Sequence, residues 1–286
     1  MTAIVDDHVL TLACDDRVGI VHAVTGYLAR AECNIVDSQQ FGDPDTKRFF
    51  MRVHFTSRSG TAGTVLRSEF QPVATSFGMD WQIYSAAQPC RTLVMVSKFG
   101  HCLNDLLYRS QTGALPTTIC AVVSNHTDFE PMARAHGVSF HHLPVTAQNR
   151  SEQEDALLAL VRRYEVDLVV LARYMQVLSD RVCGELNGRL INIHHSFLPS
   201  FRGGRPYQQA YDRGVKLIGA TAHYVTATLD EGPIIEQEVA RVDHAQSVER
   251  LVAVGRDVES VTLARAVLAH AEHRVLRNGT KTVVFR

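Results

Sequence analysis

The run Leu168-Val169-Val170-Leu171 decides the fold of most of this chain, because four apolar residues stand together with no polar residue between them. A strand wetted on one face alternates in polarity. One covered on both faces does not, so this run predicts an interior strand of a sheet flanked by helices. Upstream the pattern repeats: Leu93–Val96 and Ile119–Val123 are continuous apolar runs, and Asn104–Arg109, Pro131–His136 and Gln153–Tyr164 carry helical spacing around them. Strand–helix alternation of this kind predicts a parallel sheet in an α/β domain. Downstream, Leu190–Ile193, Gly219–Val225 and Ile234–Val239 read as strands. Ser247 is placed to cap a final helix running to about His270, with Glu249 in its positive first turn.

Before Arg91 the texture differs and predicts β-α-β-β-α-β. The strand Val9–Ala13 is followed by a helix over Ile20–Leu28. Strands Asn34–Gln40 and Arg48–Phe55 are joined by the turn Gly42-Asp43-Pro44-Asp45, and a helix over Thr64–Ser76 leads to a closing strand, Asp80–Tyr84. Residues 1–90 carry 7 basic and 10 acidic side chains, net −3, against 22 and 20 in the remainder, net +2. With linker composition at Ser85–Pro89, the expected division is a first domain over 1–85, a linker over 86–90 and a second domain over 91–286.

Composition narrows the function classes. Over 286 residues the formal net charge is −1, with 45% hydrophobic and 21% charged side chains, a globular profile with no general attraction to nucleic acid or anionic lipid. No apolar run is long enough to cross a membrane, and the opening Met1–Asp7 is acidic, unlike a secretory signal. The six cysteines form no C-x-x-C pair, so reduced thiols in a cytoplasmic protein are expected. The 14 histidines raise the question of a metal. His270 and His273 stand at i, i+3, and His141-His142 are adjacent in a strand-like segment whose neighbours point to opposite faces; both read as structure rather than as ligand sets. The dinucleotide, P-loop, hydrolase-elbow and H-E-x-x-H signatures are absent.

One cluster carries chemistry. Ile191-Asn192-Ile193-His194-His195-Ser196-Phe197-Leu198-Pro199 ends an apolar strand in polar residues, and open α/β sheets bind ligands outside the carboxyl ends of their strands. A side-chain period of two sends Asn192 and His194 to one face and His195 to the other. An amide donor beside an imidazole can stabilise a developing oxyanion and move a proton. The turn Thr226–Pro233 adds Asp230 and Glu231. Together these predict an Asn/His/Asp site for carbonyl chemistry, without a metal or an obvious covalent nucleophile.

At these residues the chain resembles the folate-dependent formyltransferases. It carries Asn192-Ile193-His194, His223-Tyr224-Val225 and Leu229-Asp230-Glu231-Gly232-Pro233-Ile234-Ile235 in that family's order, and Leu171–Leu178 is similar to its pterin-pocket segment. Where the ribonucleotide transferases have a Gly-rich phosphate loop, this chain has Ser97-Lys98-Phe99-Gly100-His101-Cys102-Leu103-Asn104, and His195 stands where they usually have Pro. Both departures match the formyltetrahydrofolate deformylases, which the chain resembles over nearly its whole length, including Cys102–Leu107, His142–Val145 and Gly255–Glu259.

That resemblance implies hydrolysis of 10-formyltetrahydrofolate to formate and tetrahydrofolate with no metal or cofactor, with Asn192, His194 and Asp230 catalytic, Asp230 either holding the attacking water or setting the tautomer of the imidazole. Met175, Gln176, Leu178, His223, Ala227, Thr228 and Leu229 are then expected to form the folate pocket. It also implies a ferredoxin-like, ACT-like first domain ahead of a mostly parallel, Rossmann-like formyltransferase domain, and a homo-oligomer. Asp15-Asp16-Arg17-Val18-Gly19-Ile20 resembles the ACT turn into the first helix, with Val18 in place of the usual Pro, and Cys33-Asn34-Ile35 its second-strand start. Asp16, Gly19 and Asn34 are accordingly the candidates for holding a small amino-acid effector across a dimer interface. Rival readings are formyl transfer to an amine acceptor, a non-catalytic amino-acid and folate sensor, and a histidine-built metalloenzyme.

Overall fold

The computed structural model describes residues 6–57, 62–198 and 206–286. Residues 1–5 and Pro199, both used in reading the sequence, lie outside these. The chain divides into two compact units, residues 1–89 with 272–286, and residues 90–271.

The first unit is β1 (Asp6–Asp15), α1 (Ile20–Arg30), β2 (Cys33–Asp43), β3 (Arg48–Ser57), α2 (Gly63–Phe77) and β4 (Asp80–Ser85), in an antiparallel sheet of order β2-β3-β1-β4. Leu10, Leu12 and Cys14 alternate onto one face of β1 and meet Val24, Leu28, Leu66 and Phe70 of the two helices in a closed core. Each element is longer than its apolar signal, since ladder hydrogen bonds continue past the last buried side chain.

The second unit contains β5 (Cys90–Val96), α3 (His101–Gln111), β6 (Thr117–Ser124), α4 (Glu130–Ala135), β7 (Ser139–His142), α5 (Arg150–Arg163) and β8 (Leu168–Leu171). It continues through α6 (Asp180–Glu185), β9 (Leu190–His194), α7 (Pro206–Asp212), β10 (Leu217–Tyr224), β11 (Ile234–Arg241) and α8 (Val248–Ala271). Its seven-stranded sheet has the order β11-β10-β9-β8-β5-β6-β7. Strands β5 to β9 run parallel, and β10 is antiparallel to both of its neighbours. All four residues of β8 are buried, as their unbroken apolar character requires. The chain steps outward from β5 to β6 and β7, then returns to β8 on the other side. This reversal opens a crevice at the carboxyl ends of the strands.

The last 15 residues correct the expected boundary of 91–286. β12 (Val275–Asn278) and β13 (Lys281–Val284) form a hairpin that belongs to the first unit. Ala13 and Phe50 occupy the sheet face opposite the helices, and Leu276, Val283 and Phe285 cover them. Arg52 donates to the carbonyl of Glu272 at 3.0 and 3.2 Å, and Asn278 Nδ2 donates to Asp43 Oδ2 at 2.5 Å. The sequence signal was present in Asn278-Gly279 between apolar runs, with Gly279 at φ 62° in the turn. Its destination was not, because a sheet with two apolar faces does not announce which segment covers the second.

Candidate functional site

Asn192 and His223 face each other across the antiparallel pair β9/β10, so their side chains rise on one face of the sheet. Asn192 Nδ2 lies 3.3 Å from His223 Nε2. His223 is 2% exposed, and its Nδ1 is 2.9 Å from the carbonyl of Tyr224. A carbonyl only accepts, so Nδ1 carries the proton and Nε2 of the neutral ring accepts from Asn192. One N–H of the Asn192 amide is thereby fixed, and the other is left for a ligand.

Asp230 reaches the same place from the turn after β10. The carbonyl of Pro233 accepts from Tyr224 N at 2.9 Å, closing that turn on the strand end, and Asp230 sits in it at φ 57°. Gly232 permits the closure, because a Cβ there would stand 1.7 Å from the Tyr224 carbonyl oxygen. Asp230 Oδ2 is 3.3 Å from His194 Nδ1, and Oδ1 is 3.7 Å from His223 Nε2. The hydrogen bond from His194 holds the Asp230 carboxyl well below the usual carboxylate range against the opposing effect of burial. His194 Nε2 is buried with no hydrogen-bond partner among the described residues.

These groups line a cavity of about 250 Å³ whose other wall is the segment after β8. That segment is held on both sides. Ser97 N donates to the Arg173 carbonyl at 3.3 Å, Met175 N donates to Ser97 Oγ at 3.0 Å, and Ser97 Oγ donates to Asn125 Oδ1 at 2.7 Å. At its far end buried Glu154 accepts from Ser179 N at 2.8 Å and from Ser179 Oγ at 2.5 Å. Of the residues singled out in the sequence, Met175, Gln176, Leu178, His223, Ala227 and Leu229 line this cavity with Asn192, His194 and Asp230, whereas Thr228 does not. The Thr228 carbonyl instead accepts from Thr226 Oγ1 at 3.1 Å, inside the turn.

Among the lining residues that the sequence reading did not name as site residues are His195 and Arg173. His195 joins the same cavity as His194, although strand alternation sends it to the other face. β9 ends at His194, and there the period of two stops applying. Arg173, at φ 65°, lines the cavity with its Nε 3.4 Å from Glu259 Oε2. Glu259, 1% exposed, also meets His101 Nε2 at 2.7 Å and accepts from Tyr207 Oη at 2.5 Å. Burial pushes its pKa up, but His101, Arg173 and Tyr207 outweigh that and leave it lowered. The sequence signal was a carboxylate on the buried stripe of α8, beside Val258 and Leu263.

His101, Cys102 and Glu259 have donor atoms within 4.8 Å of one another. However, the Glu259 oxygens already serve His101, Tyr207 and Arg173, and burial holds the Cys102 thiol protonated. A cation there would also face the Arg173 guanidinium. The segment 97–104 is packed rather than open: Ser97 and His101 are engaged as above, and a Cβ on Gly100 would stand 2.3 Å from the Phe129 ring. His270 and His273 part company, with His270 Nδ1 2.7 Å from Tyr224 Oη and His273 stacked on Tyr84.

The effector candidates do not meet within one chain. Gly19 precedes α1, and Asp16 lies against Gly42 at the end of β2, where a Cβ would be 3.0 Å from Asp16 Oδ2. Asn34 begins β2, roughly 26 Å away for eight residues of strand.

Burial lowers the His270 pKa to about 4, so the folded protein keeps this ring neutral. Between pH about 6.5 and 4 the unfolded chain binds a proton there that the folded chain refuses, and stability falls as the pH drops through that window. Urea midpoints measured from pH 7 to 4 should therefore fall more steeply for the wild type than for His270→Gln. Parallel curves for the two proteins would assign the acid sensitivity elsewhere.

Residues 90–267 match the formyl transferase family and residues 8–67 the ACT domain family. A formyltetrahydrofolate deformylase of Corynebacterium sp. (strain P-1) is 51% identical over 98% of both chains. Another, from Bacillus subtilis, is 44% identical over 96% of this chain and 93% of its own. The crystal structure of the Burkholderia mallei formyltetrahydrofolate deformylase superposes with a TM-score of 0.95 at 51% identity, covering 98% of this chain and all 100% of that one. A glycinamide ribonucleotide transformylase from Symbiobacterium toebii superposes with a TM-score of 0.66 at 32% identity, over 71% of this chain and 97% of its own.

Proposed function

The chain belongs to the formyltetrahydrofolate deformylase family, and from that premise we propose how its own residues hydrolyse 10-formyltetrahydrofolate to formate and tetrahydrofolate. The observation that carries the assignment of roles is the contact of Asp230 with both His194 and His223, beside the amide of Asn192. Asn192 donates its second N–H to the formyl oxygen as that oxygen becomes anionic. Asp230 accepts from Nδ1–H of His194 and stands as the counter-charge to its imidazolium form, whose Nε2–H protonates N10 as the C–N bond breaks. The 3.3 Å contact favours this tautomer-setting role for Asp230 over a water-holding one. Met175, Gln176, Leu178, Ala227 and Leu229 enclose the pterin, and no metal or cofactor has a part in these steps.

Incubation with 10-formyltetrahydrofolate and no amine tests the reading: formate should accumulate with enzyme turnover. A reaction that starts only when an amine is added would make this a transferase. Asn192→Ala should lower kcat by roughly 10²–10³-fold, the usual cost of one oxyanion donor, with KM little changed.

Formate released here supplies purine synthesis and balances one-carbon pools. With six free cysteines, the protein is assigned to the reducing cytoplasm. A small amino acid held by Asp16 and Gly19 of one chain and Asn34 of another in a homo-oligomer would control it; the distance between those residues in one chain favours two chains over one. Calorimetry of the full chain with single amino acids should give a saturable heat for one of them.

A further inference from the structure

We propose that His195 is the group that receives, at Nδ1, the proton of the attacking water. The inference rests on the deformylase reading above and adds a base to it. His195 Nδ1 is buried and without a hydrogen-bond partner among the described residues, and the ring lines the cavity that holds Asn192, His194 and Asp230. A buried polar nitrogen left unpaired is a standing cost to the fold, and a use in the reaction accounts for it.

The other basic groups of the cavity are committed. Asp230 gives Oδ2 to His194, and its carboxyl, held well below the usual range, is a poor proton acceptor. His223 spends Nδ1 on the Tyr224 carbonyl and Nε2 on Asn192. His194 spends Nδ1 on Asp230, and its Nε2 serves the leaving group. The His195 ring centroid lies 4.9 Å from that of His194, close enough for one formyl carbon and its attacking water to lie within reach of both.

The orientation of His195 is built in. After β9 the chain bends, and the buried hydroxyl of Thr221 clamps that bend by donating to the Ser196 carbonyl at 3.1 Å and accepting from Leu198 N at 3.2 Å. Burial, then the Arg173 guanidinium and His194, lowers the His195 pKa to about 4, so the ring is neutral near pH 7 and its lone pair is free. A negative charge developing on the formyl oxygen reverses this balance and makes protonation of the ring favourable in the transition state.

The step closes in atoms and charge. A lone pair of water oxygen forms the new C–O bond, one water proton passes to His195 Nδ1, and the C=O π pair moves to the formyl oxygen beside Asn192. Collapse restores the C=O bond and breaks C–N10, whose electron pair takes the proton from His194 Nε2. Formic acid then returns its proton to His194, leaving formate, and His195 releases its own to solvent.

His195→Ala and His195→Gln test this with 10-formyltetrahydrofolate as substrate. Both should lose about 100-fold in kcat while tetrahydrofolate binding stays within about threefold of wild type. Hydroxylamine attacks without prior loss of a proton, so it should restore turnover in His195→Ala about tenfold or more, as formohydroxamate, and should fail to do so in Asn192→Ala. Near-normal kcat in both variants, or no rescue by hydroxylamine, overturns the proposal. His195→Gln carries the test if circular dichroism shows His195→Ala unfolded. Failure of the underlying reading looks different, since wild-type enzyme would then release no formate at all.

Discussion

Asp230→Asn should lower kcat for formate release by about 10³–10⁴-fold, with KM for 10-formyltetrahydrofolate changed by no more than about threefold. The substitution keeps the size of the side chain and removes its charge. On the proposed mechanism His194 then loses the acceptor that fixes Nδ1–H, and the imidazolium proposed to protonate N10 loses its counter-charge. An Asn amide offers an N–H to His194 where only acceptance serves, so that ring is drawn toward the wrong tautomer. Because the wild-type carboxyl is held far below the ordinary range, activity on the acid side should not be limited by Asp230 protonation. Single-turnover formate release measures the effect directly. Retention of more than about a tenth of wild-type kcat would remove Asp230 from proton handling.

Glu259→Gln should cost about 3 kcal/mol of stability, a drop of roughly 6–12 °C in the melting transition of a domain this size. Glu259 is buried on α8 and is the anion for Arg173, whose Nε has no hydrogen bond among the described residues. Neutralising it leaves a guanidinium in a poorly solvated place and weakens the bonds from His101 and Tyr207. Removing both charges together, in Glu259→Gln with Arg173→Met, should cost less than the sum of the single changes, because no uncompensated ion then remains. Arg173 lines the cavity proposed to hold the folate, so KM should rise in the single variant even where folding is complete. Urea unfolding and steady-state kinetics read the two effects separately, and an unchanged midpoint would show that the cluster adds nothing to stability.

How far the sequence reached depends on the range of the interactions concerned. β8 was legible to the residue, because a strand covered on both faces needs an unbroken apolar run. Asn192, His194, His223 and Asp230 were legible as types at strand ends and in a turn, and the antiparallel register of β9 and β10 brings them together. His195 was assigned to the wrong face, since alternation holds only while a strand lasts and the Thr221 clamp that ends it comes from another strand. Glu259 lies far along the chain from Arg173, and no local pattern pairs them.

Alone, then, the sequence determined both folds and marked polar residues that line the cavity, because hydrophobic period and strand-end polarity are local properties of the chain. Tertiary structure decided the membership of the last hairpin, the distance between Asn34 and Asp16, the contact of Asp230 with His194 and, among the described residues, the unpaired nitrogen of His195. Each of these depends on which distant surface or side chain arrives to cover or pair a group, and that is fixed only when the whole chain packs.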